Sequence, residues 1–184
     1  LLEREEAFMT TLLDKIPVLR GSERAYTGFL TKLRADMFDN LLEKARLAGE
    51  NVKPGSQVTK DLAAVVNNFT GAGDLGKIER AKPVLNSFFF SPAKIAATVN
   101  MFNPRKYLDP NISKTAKKEA LKNLIGMLGF SAGVLSIAKA IGGDNVKVET
   151  DPRSSDFGKL RIGNTRFDVS GGNAGYLTML ARVL

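Results

Sequence analysis

A mainly α chain, a multi-helix bundle-like segment with a small C-terminal β-hairpin, is predicted by three features of this 184-residue sequence. Apolar residues recur at helical spacing through most of the first hundred positions. An apolar, glycine-punctuated run, LKNLIGMLGFSAGVLSIAKAIGG, occupies residues 121–143. After Gly142-Gly143 the apolar period drops to two, and two short alternating runs flank Gly163-Asn164, a dipeptide suited to a tight hairpin turn.

The elements follow in order. Residues 1–16 read as a short amphipathic segment ended by Pro17, and Ser22 with Glu23 and Arg24 opens a long helix that runs to about Ala48 and stops at Gly49. Within it Tyr26, Phe29, Leu30, Leu33, Met37, Leu41, Leu42 and Ala45 form one apolar face. Lys32, Arg34, Asp36, Asp39 and Glu43 are expected to point away. A loop over residues 50–57 contains Pro54-Gly55, a helix spans about residues 59–69, and Gly71, Gly73 and Gly76 form a flexible break. A third helical region covers about residues 76–102, interrupted near Pro83 and at Ser91-Pro92. It holds Phe88-Phe89-Phe90, which cannot all face one side of a helix and are assigned mainly to core. A turn over residues 103–110 precedes a basic helix bearing Lys114, Lys117, Lys118 and Lys122, and then the apolar run. Val146, Val148 and Thr150 alternate as a strand, residues 159–162 and 165–169 form the hairpin, Gly171-Gly172 ends it, and residues 174–184 form an apolar helix. Three regions result: amphipathic helices over 1–110, the basic and apolar helices over 111–143, and the hairpin with the terminal helix over 144–184.

The apolar run admits two readings. Between Leu124 and Ala138 no side chain is charged, and Gly126, Gly129 and Gly133 recur at spacings of three and four, a small-residue face on which another helix can approach closely. Crossing roughly 30 Å of hydrocarbon takes about 20 apolar residues, a length reached here only if Lys139 snorkels or is paired. The sequence therefore favours a central helix buried by its neighbours over one that enters a bilayer.

Composition narrows the chemistry. The chain is 43% hydrophobic and 25% charged, the makeup of a folded protein. Zero cysteines exclude disulfides and thiolate metal sites, and zero histidines remove the commonest general base and zinc ligand. No catalytic residues, cofactor or metal ligands are assigned, and the chain is not expected to be an enzyme. Residues 1–50 hold 8 Lys+Arg and 9 Asp+Glu, so the net charge of +8 arises wholly after residue 50. That surplus fits solvated helix faces or a polyanionic partner such as nucleic acid or anionic lipid, with Lys114, Lys117, Lys118 and Lys122 as the candidate contacts. The aromatic and basic interleaving of an RNA-binding sheet is missing. The chain begins Leu-Leu-Glu-Arg without an initiator Met or signal peptide and stops within an apolar helical pattern, so it reads as a fragment of a larger chain.

The most motif-like segment is DPRSSDFGKLRIGNTRFDVSGGNAGYL. Its Asp151, Asp156 and Asp168 could collect a hard divalent cation, although no EF-hand or DxD spacing is present. The structural alternative has Asp156 and Asp168 pairing with Arg153, Arg161 or Arg166 and capping turns, while Gly158, Gly163, Gly171 and Gly172 relieve backbone strain. Gly171-Gly172-Asn173-Ala174-Gly175 is only loosely a phosphate loop, because the Lys-Ser/Thr of a Walker motif is lacking. Carried by Asp151 to Lys159, Gly163 to Arg166, Asp168, Gly171 and Gly172, the segment resembles part of the giant multifunctional proteins of tailed bacteriophages, the large polyvalent proteins and internal virion proteins. The resemblance covers about the last third of the chain and implies a particle protein carried in the virion, in the capsid interior or tail region, and ejected with the genome to help form a conduit through the host envelope. Its implied partners are further copies of the chain, other virion proteins, phage DNA and the host membrane. Two other readings stay open: a non-catalytic flank of a giant virion-packaged enzyme such as an RNA polymerase, and a soluble DNA-binding scaffold module.

Overall fold

The computed structural model describes residues 17–76 and 92–183. Among these are six helices and three short strands: α1 (Pro17–Leu47), α2 (Gln57–Phe69), α3 (Pro92–Phe102), α4 (Arg105–Leu108), α5 (Lys114–Ile141), a 3-10 turn at Gly143–Asn145, β1 (Val146–Val148), β2 (Leu160–Ile162), β3 (Thr165–Phe167) and α6 (Ala174–Val183). The mainly helical class and the hairpin are therefore present. The expected segment over 1–16 and the Phe88-Phe89-Phe90 run lie outside the described residues.

Helix α1 covers Pro17–Leu47 and so reaches back beyond Ser22. It ends as expected: Gly49 takes φ +75°, its N–H reaches the Arg46 carbonyl and the Glu50 N–H reaches the Ala45 carbonyl, so the last carbonyls are satisfied. The Ser56 side chain caps α2 by accepting from the Thr59 N–H.

The chain divides into two compact units, Leu1–Leu121 and Lys122–Leu184, with the boundary inside α5. In the first, Leu41 and Ala45 of α1, Leu62, Val65 and Val66 of α2 and Ala116 of α5 form the buried core, flanked by Met37, Phe38, Ile112 and Ala120. The apolar face read along α1 is only half used: Leu41 and Ala45 are buried, whereas Tyr26, Phe29 and Leu33 are exposed. Arg34, expected to point away, is buried. Its Nε donates to Thr70 Oγ1 (2.9 Å) and a terminal nitrogen reaches the Thr70 carbonyl, so a cation sits where the C-terminal carbonyls of α2 concentrate negative charge. The glycine stretch after α2 holds a close contact at its centre. The Gly73 N–H donates to the Ala93 carbonyl, and a Cβ there would lie 2.2 Å from the Ala97 nitrogen. Only glycine lets this strand of chain lie against α3.

In the second unit β1, β2 and β3 make one antiparallel sheet in that order, with Ile162 opposite Thr165 across the two-residue turn. Gly163 at φ +59° supplies the positive φ that such a turn needs. The strand read at Val146 and Val148 adds to the hairpin through β2, giving three strands. Its buried hydrophobics are Leu160 and Ala174 alone, among the described residues.

Candidate functional site

The basic segment and the apolar run form a single helix, α5, whose N-terminal end is tied down within the first unit. Ser113 precedes the helix and accepts the Ala116 N–H on its hydroxyl. The same hydroxyl donates to Glu50, whose other oxygen accepts the Thr115 N–H (2.8 Å) and hydroxyl (2.9 Å), while the Asp61 carboxylate accepts the Ser113 N–H (2.8 Å). Two carboxylates thus meet the positive end of the α5 dipole. Burial alone would raise the Glu50 carboxyl, but the hydrogen bonds from Ser113 and Thr115 and the nearby Lys114 charge bring it below the ordinary glutamate value. Glu119, the one acidic residue of α5, pairs with Lys44 of α1 at 3.1 Å. None of this was visible in the sequence, where Glu50 stood at the start of a loop.

Beyond Leu121 the helix changes character. Ser131 is buried, its hydroxyl bonded to the Met127 carbonyl with the Val169 carbonyl 3.4 Å away, and Met127 sulfur lies 3.7 Å from the Asn173 amide. Leu124, Val134, Leu135 and Ala138, all half-buried, flank that covered face. On the opposite side, at about 3.6 residues per turn, fall Gly126, Gly129 and Gly133. A Cβ placed on any of the three would meet nothing within 4 Å. Around them Ile125 (60% exposed), Phe130 (69%), Ile137 (62%) and Ile141 (81%) face outward. The reading of this run as a helix buried on all sides is thereby corrected. Only 6% of its most apolar stretch is buried, the segment joining β3 to α6 meeting one face through Val169 and Asn173. Among the described residues α5 is the helix long and apolar enough to cross a membrane.

The four lysines share the first three turns of α5 and make different contacts. Lys117 turns back to donate to the Asp109 carbonyl (2.9 Å), Lys114 and Lys118 border a groove with Glu50 and Asp61, and Lys122 is exposed at the start of the second unit.

The aspartates of the hairpin motif are taken up by local turns and ion pairs. Asp151 accepts the Arg153 N–H, with the Arg153 guanidinium at 3.5 Å. Asp156 pairs with Lys159 at 3.2 Å and Arg166 at 2.5 Å, and the bond from Lys159, outweighing slight burial and aided by both cations, holds its carboxyl below the ordinary aspartate value. Asp168 accepts the Ser170 N–H (2.8 Å) and hydroxyl and sits 3.4 Å from the Ala174 nitrogen at the start of α6. Burial pushes the Asp168 carboxyl up, and those bonds from Ser170 and Ala174 more than offset it. Of the expected pairings, Asp156 with Arg166 forms, whereas Arg161 Nε donates to the Gly163 carbonyl (2.8 Å) and Asp168 caps instead of pairing. The glycines Gly158, Gly163, Gly171 and Gly172 all take positive φ. With its own carboxylate at the start of α6, the Gly171-Gly172-Asn173 stretch repels a phosphate. Among the described residues no group of three or more acidic side chains is placed to hold a metal ion, and the three aspartates serve three separate networks.

Comparison with protein-family models, with curated proteins and with solved structures finds no match for this chain.

Proposed function

We propose that this chain is a phage virion protein that is ejected with the genome and helps form a conduit for DNA across the host cell envelope. The observation that carries the reading is the half of α5 beyond Leu121, apolar, free of charge between Leu124 and Ala138, and exposed on the side that bears its three glycines. A helix surface of this kind costs free energy in water, at about 25 cal/mol per Å2 of apolar surface left wet, and is stabilised when lipid or another helix covers it. The open glycines let a second backbone come close, which favours copies of the same chain or other virion proteins as the covering partner. Lys122 and Lys139 bracket the uncharged stretch and reach outward to anionic headgroups, which extends the span toward bilayer thickness. The resemblance of the hairpin segment to large phage virion proteins supports the same reading, as does the absence of any histidine or cysteine for common enzyme chemistry.

The test is flotation of the purified chain with anionic and neutral liposomes, beside its mass in solution by light scattering. Flotation that survives high salt, together with a defined oligomer, is expected. Gly129→Leu with Gly133→Leu leaves the monomer folded, since each glycine has open space, and abolishes the oligomer. A monodisperse monomer that ignores lipid overturns the proposal and returns the chain to a structural flank of a larger virion enzyme or a soluble DNA-binding scaffold.

A further inference from the structure

One face of the small sheet carries a row of cations that its register sets side by side. Lys147 of β1 lies directly opposite Arg161 of β2, and Arg161 lies directly opposite Arg166 of β3. All three residues are exposed. Adjacent strands lie about 4.8 Å apart, so three positive groups cross roughly 10 Å of surface in a line. Like charges directly opposite one another destabilise a sheet, and here the pairing occurs twice in succession. A sheet that needed only solubility would place a carboxylate at the centre of the row.

The neighbouring acids leave most of that charge uncompensated. Asp156 takes Arg166 and Lys159. Glu149 accepts the Asp151 N–H, Asp151 accepts the Arg153 N–H, and Asp168 caps Ser170. No carboxylate lies within ion-pair distance of Lys147 or Arg161, among the described residues. Arg161 and Arg166 each use Nε internally, Arg161 on the Gly163 carbonyl and Arg166 on Asp156, which holds the guanidinium planes while their terminal nitrogens remain donors. Preorganised guanidinium groups suit phosphate oxygens, which they grip in pairs.

We propose that the Lys147–Arg161–Arg166 row is a binding site for the phosphodiester backbone of duplex DNA, read without base contacts. Duplex is favoured over single strands because the aromatic of this sheet, Phe167, is paired opposite Leu160 on the other face, so the basic face offers no ring for an unpaired base to stack on. DNA is favoured over a lipid surface because the residues that continue this face, Glu149 and Lys159, are polar and give a bilayer nothing apolar to take up. The site stands whether or not α5 meets a membrane.

The experiment is fluorescence anisotropy of a dye-labelled DNA duplex titrated with the whole chain at several salt concentrations between about 50 and 200 mM. Lys147→Glu and, separately, Arg161→Glu are expected to weaken binding about tenfold and to lower the slope of log affinity against log salt by about 1 or more, in line with loss of a phosphate contact. Lys147→Glu, which loses no side-chain bond to any described residue, also replaces a like-charged cross-strand pair by an opposite one, so its thermal melting stays unchanged or rises and its affinity loss cannot come from unfolding. Lys53→Glu with Lys60→Glu, a larger change of charge in the first unit, is expected to alter affinity less than twofold. Equal losses from both sets would mean diffuse attraction and overturn the site. So would unchanged DNA binding by Lys147→Glu, or a loss of anionic-vesicle binding in that variant with DNA affinity intact.

Discussion

The same helix behaves in opposite ways at its two ends. In the first unit α5 contributes Ala116, fully buried among Leu41, Ala45, Leu62 and Val66; its start is held by Glu50 and Asp61 and its second turn by Lys44. In the second unit it offers Gly126, Gly129 and Gly133 to open space, and the buried hydrophobics are Leu160 and Ala174. Small residues are therefore of two kinds here. Ala45, Ala116 and Gly73 are small because another element already presses on them; the glycines of α5 have no described residue pressing on them. The first kind records a contact made within the chain, and the second is the surface on which the proposed assembly rests.

Breaking the packed side should cost most. Leu62→Ala removes the most enclosed large side chain of the core and is expected to lower unfolding free energy by about 2–5 kcal/mol, read by urea denaturation. Gly73→Ala forces a methyl into the backbone of α3 and should cost about 1–3 kcal/mol in the same assay. Glu50→Gln weakens the clasp on α5 by about 1 kcal/mol at neutral pH, since the charged acceptor becomes a neutral one. Because the folded Glu50 carboxyl lies below its ordinary value, the wild-type clasp is fully present above that value and is lost as pH falls through the folded one. Acid titration of stability should accordingly be shallower in Glu50→Gln, and equal curves would show that Glu50 contributes nothing. The smallest effect has the opposite sign. Gly129→Ala adds a methyl that meets nothing and removes a flexible residue from a helix, so the monomer should gain about 0.5–1 kcal/mol. A loss of stability there would mean that the glycine face is already occupied, and would erase the contrast between the two ends.

Much of the architecture was legible because it rests on local rules. The stop at Gly49, the Gly163-Asn164 turn and the start of α6 each follow from a residue whose backbone or side chain admits few alternatives. Side-chain destinations were less legible. Arg34 looked like a solvent-facing charge by spacing, and only the arrival of the C-terminal end of α2 beside it made burial favourable. Glu50 sat in an apparent loop, and its role depends on Ser113 and Thr115, more than sixty positions away.

By itself the sequence determined the helical class, the period change after Gly143, the hairpin with its two-residue turn, and the glycine spacing on α5, because backbone preference and periodicity act over a few residues. Tertiary structure decided which apolar faces are used. Periodicity marks a face as apolar but carries no information on how much surface neighbouring elements can cover, so the exposed glycine side of α5 emerged only once the segment joining β3 to α6 had taken the other side. The row of Lys147, Arg161 and Arg166 was hidden for a related reason: strand register, which brings distant positions opposite one another, is a property of the pairing and not of any one strand.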